Sequence, residues 1–160
     1  MALDFRKWHA NGMKRRPRRP WARWAMAGAI VVTLAAAAAH TVVQPDHLPT
    51  PVMVWLPLLV MMWSPFARDS WISDRGLASY DEFEQAGLLR ATSRAYGVFL
   101  LLVLALLVWM WGAAMFGWPQ PTTSRGWMAW GMALLATGTA LPATFAEFMV
   151  PMPDLDDEPM

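Results

Sequence analysis

Four long stretches without a single Asp, Glu, Lys or Arg dominate this sequence. They run for 22 residues between Arg23 and Asp46, 20 between His47 and Arg68, 30 between Arg94 and Arg125, and 21 between Arg125 and Glu147. A helix needs roughly 20 mostly apolar residues to cross bilayer hydrocarbon. In that medium each backbone polar group must find its partner inside the protein, which a helix achieves within its own segment. Charged residues are only 16% of the 160, against roughly 25% in soluble domains. The predicted fold class is therefore all-α: an integral membrane protein, a four-transmembrane-helix bundle with helices near 24–43, 51–66, 96–117 and 127–150. A basic arm (1–23) precedes the bundle and an acidic tail (151–160) follows it, so the net charge of +1 hides a strong polarity.

The runs differ in character. Tyr96 to Phe116 carries FLLLVLALLV at its centre. The first run has Gly28 and Ala35 to Ala39, and the last has Gly131, Thr137, Gly138, Thr139, Pro142 and Thr144. Small residues of this kind favour close helix–helix contact. In the second run Pro49, Pro51, Pro57 and Pro65 leave about 15 residues of good helix, which fits a short crossing or a re-entrant segment. Basic charge separates the two. Four crossings place twelve of the thirteen Lys and Arg on the N-terminal side, leaving Arg125 across the membrane, whereas a re-entrant second run places nine there. The positive-inside rule favours four crossings with both termini cytoplasmic. Most of the 11 tryptophans, among them Trp21, Trp24, Trp55, Trp63, Trp118, Trp127 and Trp130, fall near the proposed helix ends, as an interfacial belt requires. The basic start, the apolar run and Ala37-Ala38-Ala39 also resemble a cleavable leader. The long basic region and the continuation through Val43 favour a retained anchor.

The arm contains Lys14, Arg15, Arg16, Arg18, Arg19 and Arg23. Next to a membrane helix these read as lipid-facing residues that set topology and attract anionic headgroups at about 1 kcal/mol each, rather than as a nucleic-acid surface. The loop after the second run holds Ser79 and Glu82 in capping-box spacing, which predicts a cytoplasmic juxtamembrane helix over about 79–95 starting at Tyr80. Asp81, Glu82 and Glu84 occupy its first turns, where the helix dipole favours acids, and Arg90 and Arg94 follow at i, i+4. No proline lies between Tyr80 and Trp118. One helix of nearly forty residues, or a surface helix bent near Gly97, are both consistent with this.

Little in the chain points to chemistry. Without cysteine there is no thiolate nucleophile, thiolate zinc site or iron–sulfur cluster. Only His40 falls within a run, so a bis-histidine haem lacks its second ligand. No serine-hydrolase, zincin or phosphate-loop motif occurs. The reading is no cofactor, no metal and no catalytic residue. Asp81, Glu82 and Glu84 point in different directions round a helix, as a solvated helix start would, rather than converging on a cation. Glu147 is the only acid within the last predicted helix, three residues before Val150. At that depth it can reach the cytoplasmic interface, so an interfacial, hydrated or paired structural role is expected, the alternative being a role in transport. Candidate interaction or ligand residues are thus Asp81, Glu82, Glu84, Arg90, Arg94 and Glu147.

The segment MVWLPLLVMMW, followed by Asp81-Glu82-Phe83 and the spaced Ala91 and Ala95, resembles a group of small bacterial four-helix inner-membrane proteins with a juxtamembrane Asp-Glu-Phe helix. The resemblance covers roughly residues 50–110 and departs where that group has a basic pair and this chain has Gln85 and Ala86. It implies a four-helix protein of a bacterial inner membrane and transfers no activity. The expected function is a non-catalytic accessory, regulatory or scaffolding subunit, with a small transporter or ligand-binding bundle using Glu147 as the alternative. Expected partners are membrane lipids, anionic headgroups included, and another membrane protein or a second copy, with no nucleic acid.

Overall fold

The computed structural model describes residues 20–43, 52–67, 77–78, 80 and 82–150. Of these, 88% are helical and none lies in a strand. Helix α1 spans Pro20–Val43. A 3-10 turn at Val52–Trp55 leads into the short helix α2, Leu56–Met61, and a second 3-10 turn covers Pro65–Ala67. Helix α3 spans Glu82–Phe116 and α4 spans Ser124–Met149.

Helices α1, α3 and α4 are long and apolar enough to cross a membrane. Helix α2 is not, since its six residues rise only about 9 Å. The helix expected over 51–66 is therefore three short pieces. Pro57 sits in the first turn of α2, where a missing N–H is harmless. Pro65 has no N–H to continue the ladder, and the chain leaves the helix just before it. By contrast, the juxtamembrane and third helices are one element. Helix α3 runs 35 residues through Gly97, about 52 Å at helical rise. It begins at Glu82, two residues later than the capping box predicts. Tyr80 lies outside it as a buried residue whose carbonyl accepts a hydrogen bond from Gln85 Nε2 at 2.8 Å. Ser79 and Asp81 lie outside the described residues.

The far ends of α3 and α4 have local causes. Gly117, at φ 69°, closes α3 in the left-handed conformation that glycine adopts without strain, its N–H bonded to Ala113 O at 3.1 Å. Thr123 caps α4, its Oγ1 accepting from Gly126 N at 3.1 Å.

Helices α1 and α4 pack antiparallel. Trp130 Nε1 donates to Thr41 Oγ1 at 2.8 Å at one end, and the Trp24 and Phe148 rings meet edge to face at 5.4 Å at the other. Between them lie buried small residues: Ala22, Ala29, Thr33 and Ala37 on α1, with Ala133, Ala136, Thr137, Ala140 and Ala143 on α4. Small side chains let two backbones approach closely, which is what holds helices together where hydrocarbon removes the hydrophobic drive. The 52–67 segment lies along this pair. Val54 shares a buried cluster with Ala37 and Ala133, Val60 and Phe66 share another with Met26 and Ala146, and Trp63 meets Trp21 at 5.5 Å. Helix α3 packs antiparallel on α4, with Phe99 over Gly138 and Gly87 against Val150. The start of α1 and the end of α4 consequently share one end of the bundle.

Aromatic rings gather at two levels. Trp21, Trp24, Trp63 and Phe148 mark the end carrying the start of α1. Trp109, Trp111, Phe116, Trp118 and Trp130 mark the other. From Trp130 to Phe148 is 18 residues of α4, about 27 Å, close to the roughly 30 Å of bilayer hydrocarbon. Between the belts α3 exposes Leu100, Leu101, Leu104, Leu107 and Val108. Only 11% of its most apolar stretch is buried, against 50% in α4. An apolar surface of this extent belongs in lipid or against a partner, not in water.

Candidate functional site

Glu147 sits in the last turn of α4 with 0% of its surface exposed. Ser64 Oγ donates to Glu147 Oε1 at 2.6 Å, at the short end of the O–H···O range. The local sequence explains how Ser64 comes to be there. Its N–H ends α2 by donating to Met61 O at 2.9 Å. Pro65 then turns the chain, and Phe66 N–H donates back to Ser64 Oγ at 3.2 Å. The hydroxyl accepts from its own turn and donates to the carboxylate 83 residues away in sequence, and the Phe66 side chain is itself buried at 2% exposure. Glu147 makes further interactions besides this one. Its expected hydration at the interface is thus corrected, while the structurally paired form of that expectation agrees with the bond to Ser64. Its depth near the end of α4 matches the sequence, but the returning turn of the second run covers the face it occupies.

The other predicted residues are not assembled into one site. Glu82 is exposed at the start of α3, whereas Glu84 is buried on the face shared with Leu88, so a wholly solvated acidic start is corrected at that residue. Asp81 lies outside the described residues. Arg90 and Arg94 are exposed on α3, to one side of the buried stripe of Leu88, Ala91 and Ala95. Arg23 is not simply lipid-facing. It is half-buried, its guanidinium 5.9 Å from the ring centres of both Trp24 and Phe148, within cation–π range. Lys14, Arg15, Arg16, Arg18 and Arg19 lie outside the described residues. Among the described residues no three His, Asp or Glu come together as metal ligands.

Two features escaped the sequence reading. One is the partnership of Ser64 with Glu147, for which the only signal is a serine before a helix-ending proline. The other is a groove of about 360 Å³ between α3 and α4, lined by Thr92, Tyr96, Phe99, Gly138, Thr139 and Pro142. Its α4 wall is part of the small-residue stripe visible in the sequence. The stripe divides, with Thr137 turning inward to full burial and Gly138 and Thr139 lining the groove. Glu147 is not part of the groove.

Fold and site together define an all-helical protein with three membrane-length apolar helices and a broken fourth element pinned to a buried carboxylate. Compared with known family models, with characterised proteins and with solved structures, the chain matches none.

Proposed function

We propose that this chain is a non-catalytic membrane subunit, accessory or scaffolding in role, that works by presenting α3 to another membrane protein or to a second copy of itself. The observation that carries this reading is the imbalance between helices. Helix α4 is half buried inside the bundle and α3 is almost uncovered along its apolar stretch. Beside that face lies the groove over Gly138, shaped by small residues and one aromatic ring, the kind of surface on which membrane helices associate. We place the protein in a bacterial inner membrane with both termini cytoplasmic. The basic-residue distribution and the sharing of one bundle end by the start of α1 and the end of α4 support that orientation.

A photo-crosslinking residue at Leu100 or Leu107, exposed on the groove side of α3, tests the role in intact cells. Crosslinking to one partner, or to a second copy, is expected. Crosslinks to lipid alone at both positions would refute it. Reporter fusions after Pro45, Arg75, Pro121 and Met160 are expected to read outside, inside, outside, inside, and an outside signal at Arg75 would overturn the orientation.

A second reading rests on one observation. A broken membrane segment beside a buried acid is an arrangement transporters use for ions, and here the break at Ser64 faces Glu147. If Glu147→Gln inserts normally and abolishes a measured flux, the transport reading takes first place.

A further inference from the structure

We propose that Arg90 and Arg94 form a binding site for the phosphate of one anionic phospholipid, with its acyl chain lying along the lipid-facing side of α3. This goes beyond the subunit role and does not depend on it. The position of the two arginines in depth carries the argument. Gly87 of α3 packs against Val150 and Phe99 packs over Gly138, which fixes the antiparallel register of α3 on α4. Arg90 then lies level with Glu147, at the belt formed by Trp21, Trp24, Trp63 and Phe148. Arg94 lies one turn further in, about 6 Å towards the membrane centre.

Both side chains are exposed, and neither makes a hydrogen bond or ion pair with the described residues. An uncompensated guanidinium at that depth is costly unless it meets a counter-charge. Helical side chains lean towards the helix N-terminus, which for α3 is the headgroup side. The longer path from Arg94 is thereby brought towards the level of Arg90, with its carbon stem along the apolar boundary. Residues at i, i+4 stand about 5–6 Å apart, close enough for two planar guanidinium forks to share one phosphate.

The same face continues inward as a track for a chain. A Cβ at Gly97 would meet nothing within 4 Å, so the helix surface is notched just above Arg94. Leu101, Leu104 and Val108 then extend as exposed apolar surface. Of the acids on α3, Glu84 is buried towards the bundle and Glu82 is exposed two turns beyond Arg90, and from Arg90 inward to Val108 there is no acid. A phosphodiester headgroup followed by a hydrocarbon tail matches this order of charge, notch and apolar track.

The test uses the full chain with Lys14, Arg15, Arg16, Arg18 and Arg19 changed to Gln, which removes lipid attraction by the arm. Native mass spectrometry follows retention of phosphatidylglycerol and, separately, phosphatidylcholine in mild detergent. One tightly held phosphatidylglycerol is expected and no comparable phosphatidylcholine. R90Q/R94Q should weaken phosphatidylglycerol retention about thirty-fold, about five-fold for each arginine. R90K/R94K should keep most of it, which separates loss of charge from loss of fold. Undiminished phosphatidylglycerol in R90Q/R94Q, or equal retention of both lipids by the parent, would overturn the proposal. So would a glutamine variant that keeps the lipid but loses a co-purifying membrane protein, since the counter-charge is then an acid on that protein.

Discussion

Replacing Ser64 by alanine removes one oxygen from a fully buried place. Glu147 is fully enclosed and loses the 2.6 Å donor to Oε1. Phe66 N–H loses its 3.2 Å acceptor in the same step. A buried hydrogen bond contributes about 1 kcal/mol, and a buried polar group left without its partner costs about 1–3 kcal/mol. The further interactions of Glu147 retain part of its stabilisation, so about 2–3 kcal/mol is the expected loss. The consequence is local before it is global, because Ser64 ties the 52–67 segment to α4. Near the tie Trp63 stacks edgewise on Trp21 at 5.5 Å, so the emission of these two rings reports its release. Thermal unfolding of the purified protein in one detergent, for S64A, E147Q and the double variant, separates pair from singles. A coupling of about 1–2 kcal/mol is expected, as for residues in direct contact. Strict additivity would show that the two side chains do not share a hydrogen bond and that α2 is held by apolar contact alone.

Thr41→Val removes the acceptor for Trp130 Nε1 and should cost about 1 kcal/mol in thermal unfolding, while T41V/W130F should cost less than the two singles added. Gly112 is covered by the Trp118 ring, which leaves no room for a Cβ; Gly112→Leu should displace that ring and cost about 1–3 kcal/mol, seen as a shift of tryptophan emission. Thr123→Ala takes the cap from α4 and should lower stability by about 0.5–2 kcal/mol, with faster hydrogen exchange confined to its first turn.

Much of this protein can be read locally, because insertion depends on apolar content summed over about 20 neighbouring residues. The first and fourth charge-free runs accordingly coincide with α1 and α4, and the apolar part of the third forms the inner two thirds of α3. The end of α3 is local too, since a glycine followed shortly by Pro119 stops a helix whatever surrounds it. Even the broken second run was visible in its four prolines, although not where it would break. What the chain alone leaves open is rotation about each helix axis and register between helices. A one-residue change turns a side chain by 100°, enough to move Glu147 from headgroups to the core. Its burial was decided by Ser64, 83 residues earlier, and that pairing exists only once the proline turn is docked against α4. The same holds for Gly138, whose place in a small-residue stripe did not reveal that Phe99 would lie on it. It holds equally for Arg90 and Arg94, whose i, i+4 spacing was legible but whose depth follows from the packing of Gly87 on Val150.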